Sequence, residues 1–526
     1  MTFETTHSRF DEAAIDAIFA ALDQGSKPGA AVAVAIGGTP VYRKGFGLAS
    51  MELPVLLSPT MRMRIGSTTK HFACLAFMLL CEDGLASIED PVEKYVPEVH
   101  PVAHGVTMRQ LMGHTSGLRD MLSVTMFSNG TGAPVSDAQM VEYYRTIDDV
   151  DFAPQTDWSY NNGAYMLLTA AIERLSEQPL ETVLRDRIFL PIGMNDTLLR
   201  RWDTDFVGNS AMLHMIDGKG GFTRDHMGME ITGAGGMAST MDDMLLWLKH
   251  MDAPFVGTAE TWKLMREPQT LTNGTITGYG FGLMTVPYRG VTTVQHGGGV
   301  IGGNSQMIKV PSAGLDISVA VNRADASAAD LSNQIIDLMV EGLTPEPEKS
   351  EAEPVEGLYV SPTSGRVVEL VANDGMQLFS YDGAPGLPVQ PDEEGVLQVP
   401  PAMRFMQTSF APGDGAGTFH EFGKSDIMER VEPDPGAALG ERTGVYRAEG
   451  IGARATITEG EEGPRLFVEG RHGKACYTLA PLNGSIWRAT AMGAFSMLAG
   501  AVTFAPDAKS FEITFTRMRH LRFTRV

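Results

Sequence analysis

A segment rich in proline and glutamate, residues 343–354, most limits the folds open to this chain of 526 residues. It holds almost no apolar side chains, so it predicts an extended linker rather than part of a core. A second, shorter cluster of chain-breaking residues covers 432–436. The chain is therefore predicted to contain a large N-terminal domain, residues 1–342, followed after the linker by two small domains, residues 355–435 and 437–526.

The two small pieces share a series of sequence marks at similar spacing. In chain order these are Gly357-Leu-Tyr359 and Gly444-Val-Tyr446 at the start, Leu378-Phe379 and Leu466-Phe467 in the middle, and Arg430-Val431 and Arg525-Val526 at the end. Short alternating apolar runs, separated by Gly, Asp and Asn, lie between the marks. This pattern predicts two antiparallel β-barrels of about 80 to 90 residues each and indicates a duplication.

The N-terminal piece mixes the two periodicities of regular structure. Residues 31–35 and 41–46 alternate as strands around a Gly-Gly-Thr-Pro turn, and strands are expected again near residues 306–322. Residues 70–81 are apolar on most faces and predict a buried helix. Strands at both ends with helices between them predict an α+β fold, in which an antiparallel sheet packs against a helical region.

Charge and cysteine content exclude several classes of function. The 64 acidic residues outnumber the 41 basic ones, a net charge of −23, which argues against a nucleic-acid partner or an anionic membrane. The three cysteines show neither a disulfide framework nor a zinc-site spacing, and no metal or cofactor is expected. The longest apolar run, residues 73–81, is about half the roughly 20 residues that a membrane helix needs. With a charged N-terminal stretch unlike a signal peptide, these features predict a cytoplasmic protein.

The motif Ser67-Thr-Thr-Lys70 is the strongest chemical signal. It lies at the start of the predicted buried helix, where a lysine three positions after a serine falls on nearly the same face. A serine hydroxyl is a weak nucleophile unless a neighbour takes its proton, and a lysine can do so only when burial keeps it neutral. The alternative is a helix-capping serine with a solvated lysine. No other serine in the chain has a lysine three residues downstream.

Two further motifs contain residue types that catalysis uses, although neither motif alone predicts a site. Tyr160 and Asn162 lie in one turn before a helix, where a phenol and an amide can move a proton and hold a carbonyl. His296, Gly297 and Gly298 follow a predicted strand, and glycines there let the backbone approach a ligand. The alternatives are ordinary turn chemistry with a packing tyrosine, and a tight turn with an incidental histidine.

Taken together and in this order, the three motifs resemble those of the penicillin-recognising serine hydrolases, in particular the class C β-lactamase-like members. The likeness spans about residues 10 to 340. It also includes four further stretches, Glu82–Pro97, Met108–Leu118, Gly233–Ser239 and Tyr279–Leu283.

The resemblance implies catalytic roles for four residues. Ser67 would be the acylated nucleophile, while Lys70 and Tyr160 would share the general-base and general-acid work. His296 stands where many relatives carry the lysine of a Lys-Thr-Gly motif, next to the strand that lines the site.

The same resemblance implies the substrate contacts. The backbone N–H groups of Ser67 and Gly298 would form the oxyanion hole, with Gly297 beside them. Asn162 would position the substrate amide. His114, in a His-Thr-Ser-Gly stretch, is structural in this family.

Two C-terminal barrels on such a domain are similar to the three-domain D-aminopeptidases, in which a loop of the last barrel enters the active site and shapes a pocket for a D-residue with a free amine. The matching loop is expected at residues 470–477. Lys474 fits that loop, but Cys476 stands where the family carries an aspartate. The basic side chains Arg471 and His472 would suit an acidic group better than an amine. The alternative is an ordinary surface hairpin.

The sequence thus predicts a serine peptidase or amidase that hydrolyses small peptides or amides through an acyl-enzyme, with a D-residue at the acyl position as one option. Esterases, β-lactamase-like hydrolases, D-amino-acid amidases and hydrolases of larger unusual peptides such as linearised microcystin use the same acylation step and stay open. A homodimer is compatible with the sequence. A non-catalytic binding protein on the same fold is disfavoured, because Ser67, Lys70 and Tyr160 are all present.

Overall fold

A computed structural model describes residues 10–346, 350, 352–492 and 498–526. Its N-terminal part contains eleven helices within these ranges. They are α1 Glu12–Phe19, α2 Lys70–Glu82, α3 Met108–Met112, α4 Met121–Asn129, α5 Asp137–Val141, α6 Asn162–Ser176, α7 Leu180–Leu184, α8 Leu190–Ile192, α9 Met241–His250, α10 Ala259–Arg266 and α11 Ala328–Met339. A single 3₁₀ turn, Gly66–Thr69, leads directly into α2.

One six-stranded antiparallel sheet organises the N-terminal part, with strands in the order β10-β11-β12-β13-β1-β2. These strands are β1 Ala30–Ile36, β2 Thr39–Phe46, β10 Met284–Tyr288, β11 Val291–Val300, β12 Gly303–Val310 and β13 Leu315–Val321. Seven short strands lie between β2 and β10: β3 Leu48–Ser50, β4 Val55–Leu56, β5 Met63–Arg64, β6 Leu198–Leu199, β7 Met215–Ile216, β8 Phe222–Thr223 and β9 Met237–Ser239. Because β13 pairs with β1, the two ends of this domain meet in the centre of the sheet.

The inner strands β1 and β13 are buried on both faces of the sheet, as their continuous apolar sequences require. Every residue of β13 is buried, and in β1 only Ile36 is partly exposed. Alternate residues of β1 face two different cores: Val32 packs with α1 and α11, whereas Ala33 belongs to the larger core around α2 and α6. The helices on that second face include α2, which carries Lys70.

The C-terminal part forms two closed barrels of eight antiparallel strands each. The first contains β14 Gly357–Val360, β15 Val367–Asn373, β16 Met376–Tyr381, β17 Leu387–Pro391, β18 Leu397–Gln398, β19 Thr408–Ala411, β20 Ala416–Glu421 and β21 Lys424–Val431. The second contains β22 Gly444–Ala448, β23 Ala453–Gly460, β24 Gly463–Glu469, β25 Lys474–Pro481, β26 Ile486–Ala491, β27 Ala499–Phe504, β28 Ser510–Phe515 and β29 Met518–Arg525. Pairing of β14 with β21 and of β22 with β29 closes them.

The repeated sequence marks lie in corresponding strands of the two barrels, but the Leu-Phe pairs are offset by one position. Strand pairing aligns Gly357 with Phe379, whereas it aligns Gly444 with Leu466. Gly357 and Gly444 are the first residues of the first strands, and both Leu-Phe pairs lie in the third strands, β16 and β24. The prediction of an α+β domain followed by two antiparallel barrels is confirmed. The predicted linker, 343–354, is only partly described, since residues 347–349 and 351 lie outside the described ranges.

Charged side chains join the three units in one cluster, here called the three-domain ion-pair network. Its members are Arg119, Asp151 and Asp157 of the N-terminal part, Arg366, Glu421 and Lys424 of the first barrel, and Arg519 of the second. Arg519 lies 3.1 Å from Asp157 and 3.4 Å from Glu421, so one guanidinium bridges all three units. Among the described residues, no helix is both long and apolar enough to cross a membrane.

Candidate active site

Ser67 lies in the 3₁₀ turn before α2, and its hydroxyl does not cap the helix. The residue at the N-cap of α2 is Thr69, and no side chain there makes a capping hydrogen bond. Instead, the Ser67 Oγ lies 3.3 Å from the Lys70 Nζ. The interpretation of Ser67 as a capping serine is therefore wrong, and the pairing that activation of a serine requires is present.

Lys70 is fully buried, which sets its chemistry. Its Nζ donates to the Asn162 Oδ1 at 2.8 Å and to the Ala234 carbonyl at 2.5 Å. No carboxylate pairs with it among the described residues. Burial, and second the positive charge of Arg517, lower the pKa of the Lys70 ammonium well below its usual range. The alternative of a solvated lysine is wrong, and burial favours the neutral amine.

Tyr160 lies two residues before α6, on the same short segment as Asn162. Asn161 caps α6 by accepting from the Ala164 N–H, which places Asn162 at the first turn and its amide beside Lys70. The Tyr160 ring centroid is 4.6 Å from the Lys70 Nζ. Burial raises the pKa of the Tyr160 hydroxyl above its usual range, although its interaction with the Ser67 hydroxyl acts in the opposite direction. The phenol is therefore protonated and lies next to the serine and the lysine.

His296, on β11, is held by hydrogen bonds at both ring nitrogens. Its Nδ1 lies 2.6 Å from the Gly297 carbonyl, which can only accept, so Nδ1 carries the proton. The Nε2 then accepts from the Tyr279 hydroxyl at 2.9 Å. Burial is the main cause that lowers the pKa of His296 to about 3. The imidazole is neutral and both of its nitrogens are engaged.

Strand β11 approaches the serine turn very closely, and glycine makes this possible. A Cβ at Gly298 would lie 1.8 Å from the Ile65 carbonyl oxygen, well inside any allowed contact. On the opposing side, Gly66 has φ +52° and a Cβ there would lie 2.8 Å from the Gly299 carbonyl oxygen. The backbone of Gly298 therefore runs directly beside the turn that carries Ser67.

Aromatic rings fix the wall behind Tyr160. His114, with φ +62°, has its ring centroid 4.4 Å from that of Tyr160 and 4.7 Å from that of Tyr279. Its Nδ1 accepts from the Asn161 N–H at 3.1 Å, so it positions the start of α6. Trp158 continues the wall and packs on Phe422 of the first barrel, with ring centroids 5.4 Å apart. The wall of the site is thus supported from a second domain.

We expect Phe422→Ala to destabilise the protein by about 3 kcal/mol, because it removes a buried ring from the contact with Trp158. Turnover is expected to fall several-fold, since Trp158 would lose its support two residues before Tyr160. Thermal unfolding and steady-state kinetics check both effects. Phe467→Ala is the matched control: this ring is 44% exposed on the second barrel, and its removal should change neither. An unchanged melting temperature for Phe422→Ala would contradict the supporting role.

The loop predicted to reach the site, residues 470–477, packs elsewhere. The His472 N–H donates to the Asn129 Oδ1 at 2.7 Å, at the far end of α4 from Asp120, and the Cys476 Sγ faces the Met492 Sδ at 3.4 Å. Only the start of α4 adjoins the site, where Asp120 accepts from the Gly163 N–H. The ends of a nine-residue helix lie roughly 12 Å apart. Among the described residues, Lys474 and Cys476 are therefore not brought together with Ser67.

The contact between the last barrel and the site comes instead from Arg517, which the sequence analysis missed. The Arg517 Cζ lies 4.6 Å from the Tyr160 ring centroid. Alternating runs on either side of Thr516 and Arg517 mark a hairpin in the sequence, but no local signal shows what its tip touches.

Asn162, His296, Gly297 and Gly298 do lie with Ser67, Lys70 and Tyr160 as expected. Within the described ranges, no three His, Cys, Asp or Glu side chains form a group that could hold a metal ion.

Comparisons with known proteins identify a family and relatives of this chain. The family model described as Beta-lactamase matches residues 15–339. A D-aminopeptidase of Gluconobacter oxydans is 27% identical over 435 residues, which is 80% of each chain. A D-aminopeptidase of Brucella canis is 28% identical over 367 residues, 68% of each chain.

Solved structures share the fold at lower identity. An octameric penicillin-binding protein homologue from Pyrococcus abyssi superposes with a TM-score of 0.58 and 22% identity, covering 80% of this chain and all of that one. A D-amino acid amidase from Ochrobactrum anthropi, complexed with L-phenylalanine, gives a TM-score of 0.53 and 21% identity over 62% of this chain and 98% of its own. These structures establish a common architecture.

Proposed function

Because this chain belongs to the beta-lactamase family, we propose that it is a serine peptidase or amidase that acts through an acyl-enzyme at Ser67. The observation that carries the proposal is the buried Lys70 Nζ, 3.3 Å from the Ser67 Oγ and without a carboxylate partner among the described residues. A neutral amine in this position can take the serine proton. The proposed reaction uses no cofactor.

Acylation proceeds in two proton-coupled steps. The Ser67 Oγ attacks the substrate carbonyl carbon while its proton passes to the neutral Lys70 Nζ. The tetrahedral intermediate then collapses: the C–N bond breaks, and the leaving nitrogen takes the proton of the Tyr160 hydroxyl. Lys70 returns its proton to the Tyr160 oxygen. Water hydrolyses the acyl-enzyme by the same transfers in reverse order.

The oxyanion that forms in each step is assigned to the backbone N–H groups of Ser67 and Gly298. The close approach of β11 to the serine turn supports this assignment, because it places the Gly298 backbone beside the turn that carries Ser67. Asn162 orients the Lys70 amine and is proposed to bind the substrate amide.

His296 is proposed as a positioning residue rather than a proton-transfer group. Its two nitrogens are occupied by Tyr279 and the Gly297 carbonyl, so it keeps β11 and the aromatic wall in register. A lysine in this place would add a positive charge, whereas the neutral imidazole adds none. The charge at the mouth of the site is therefore left to other residues.

The substrate that we propose is a small peptide or amide with a D-residue at the acyl position, the specificity that the names of the Gluconobacter and Brucella relatives suggest. An ester, a β-lactam and a larger unusual peptide such as linearised microcystin are the competing substrates, since all share the acylation step. A cytoplasmic location and a homodimer stay predictions from the sequence.

The proposal is tested with p-nitroanilides of D-alanine and L-alanine, each free and N-acetylated. We expect turnover of the D-substrates at least ten times faster than that of the L-substrates. Equal turnover of both would contradict the D-preference, and turnover of none would move the substrate to an ester or a longer peptide. In parallel, a serine-directed phosphonate should label Ser67 stoichiometrically; folded protein that resists labelling would overturn the catalytic assignment itself.

A further inference from the structure

We propose that Arg517 of the second barrel binds a carboxylate on the leaving part of the substrate, so that the enzyme prefers substrates whose leaving residue is acidic or ends in a free carboxylate. This inference rests on the proposed function, because it uses the direction in which Tyr160 delivers its proton. Arg517 determines specificity from a domain that supplies none of the acylating groups.

Arg517 is presented to the site by a tight turn. Strands β28 and β29 are joined by the two residues Thr516 and Arg517, and Phe515 pairs directly with Met518 across the turn. Both turn residues are exposed, whereas Phe515 and Met518 are buried. The guanidinium carbon lies 4.6 Å from the centroid of the Tyr160 ring. A positive charge therefore stands at the edge of the acylation site.

The turn is fixed from both sides, so this charge has a defined place. Phe515 packs on Phe127 of α4, with ring centroids 5.5 Å apart. The Arg519 N–H donates to the Asp151 Oδ1 at 3.0 Å, and the Arg519 carbonyl accepts from Arg119. Preorganisation of this kind lowers the entropy lost when a substrate group is bound.

Arg517 has no carboxylate partner among the described residues, unlike its neighbour Arg519. The nearby acidic groups are already engaged. Asp120 accepts from the Gly163 N–H at 2.9 Å and from the Ser123 hydroxyl at 2.8 Å, while Asp151 and Asp157 belong to the three-domain ion-pair network. The guanidinium of Arg517 thus stays available to a substrate, and its positive charge suits a carboxylate and disfavours an ammonium group. A guanidinium also offers the planar fork of donors that binds both carboxylate oxygens.

The direction of proton transfer indicates which part of the substrate carries the carboxylate. In the proposed reaction the leaving nitrogen receives its proton from the Tyr160 hydroxyl, so the leaving residue lies beside the tyrosine whose ring Arg517 covers. An α-carboxylate is only two bonds from that nitrogen, and an acidic side chain is a few bonds farther. As the C–N bond breaks, the released residue keeps its carboxylate paired with Arg517 and carries away the proton from Tyr160.

The test compares three leaving groups on one acyl residue: alanine with a free carboxylate, alaninamide, and glutamic acid α-amide. For the wild-type enzyme we expect kcat/KM for at least one carboxylate substrate to exceed that for alaninamide by about 10- to 100-fold. Preference for alanine identifies an α-carboxylate as the ligand, and preference for the glutamic acid amide identifies a side-chain carboxylate. A wild-type enzyme that prefers alaninamide overturns the inference.

Two variants of Arg517 separate binding from its electrostatic effect on Lys70. Arg517→Met should abolish most of the preference through KM, and Arg517→Lys should keep part of it. A loss that is equal for all three substrates would show that Arg517 acts only on the acylating groups, and would overturn the inference. Arg522→Met is the matched control, because it removes the same charge from an exposed position of β29, and its preference should equal that of the wild type.

A failure of the proposed function can be distinguished from a failure of carboxylate binding by Arg517. If no amide is hydrolysed, protection of Ser67 from a phosphonate by alanine and by alaninamide is compared in the wild type and in Arg517→Met. Stronger protection by alanine that is lost in the variant would support carboxylate binding even then. Equal protection by the two compounds in the wild type would overturn it.

Discussion

Replacing Ser67 with alanine is expected to lower kcat by roughly 10⁴-fold or more while the protein stays folded, since the oxygen removed forms the bond to the acyl group. The structural cost should be small. The Ser67 hydroxyl does not cap α2, and its hydrogen bond with the Lys70 Nζ is long, at 3.3 Å. Loss of such a contact is worth about 1 kcal/mol. Steady-state kinetics on the best substrate and thermal unfolding measure the two quantities.

Ser136→Ala provides the matched control in the same domain. Ser136 caps α5 through a capping box, so its replacement should cost about 1 kcal/mol of stability with no loss of turnover. The two serine variants would then differ in activity and not in stability. Turnover of Ser67→Ala near the wild-type rate would refute the assignment of the nucleophile.

Lys70→Met is expected to lower kcat/KM by about 10³-fold, the scale of a lost general base. Methionine roughly preserves the volume of the buried side chain, so the loss reports on the amine rather than on a cavity. The Asn162 Oδ1 and the Ala234 carbonyl lose their donor, and a moderate fall in melting temperature is expected. Kinetics and thermal unfolding again check the result.

Lys309→Met separates this effect from the removal of any buried lysine. Lys309 is also buried, but its Nζ pairs with Asp316 at 2.6 Å and with Asp252 at 2.8 Å. Removing this amine takes the cation away from the buried Asp316 carboxylate. Lys309→Met should therefore destabilise the protein more than Lys70→Met does, while the folded fraction keeps its turnover. If Lys70→Met were as active as Lys309→Met, Lys70 would not be the proton acceptor.

The pH profile of the wild type should show the lowered pKa of Lys70. As the pH falls through that pKa, the amine is protonated and kcat/KM should fall tenfold per pH unit. His296, with a pKa of about 3, stays neutral and supplies no limb at moderate pH. The lowered pKa of Lys70 also makes the stability of the protein depend on pH. Between this lowered pKa and the ordinary lysine pKa, the unfolded chain holds a proton on Lys70 that the folded protein lacks. The free energy of unfolding therefore rises as the pH rises through this interval. An activity that rises only as the pH approaches the ordinary lysine pKa would contradict a neutral Lys70 at moderate pH.

Much of the fold could be predicted from local pattern. The helix that begins at Lys70 and the repeated Gly, Leu-Phe and Arg-Val marks of the barrels depend on residues near one another in sequence, where periodicity and turn chemistry act directly. The same holds for the pairing of Ser67 with Lys70, because one helical turn places them together. The meeting of β1 with β13 needed the whole domain, since those strands lie at opposite ends of it.

The parts of the site that escaped prediction depend on contacts between domains. The basic loop at 470–477 has the expected composition, but its tip docks at the wrong end of α4 to reach Ser67. Arg517 looks like any turn residue, and only the docking of β28 and β29 through Phe515 and Arg519 brings it over Tyr160. Surface fit decides which hairpin of a barrel contacts a neighbouring domain. A single sequence contains no periodic signal for such a fit.

The three-domain ion-pair network bears on how this architecture can change during evolution. Loss of the last barrel would remove Arg519 and leave Asp157 with Lys424 and Glu421 with Arg366 as their remaining cations in the network, beside Asp151, whose pKa burial already raises to about 6. Each of these buried or half-buried carboxylates would then lose one of its two cations, so a shortened gene product would be destabilised in both remaining units. A descendant without that barrel would therefore need compensating substitutions in two domains at once, which makes the three-domain arrangement resistant to stepwise reduction.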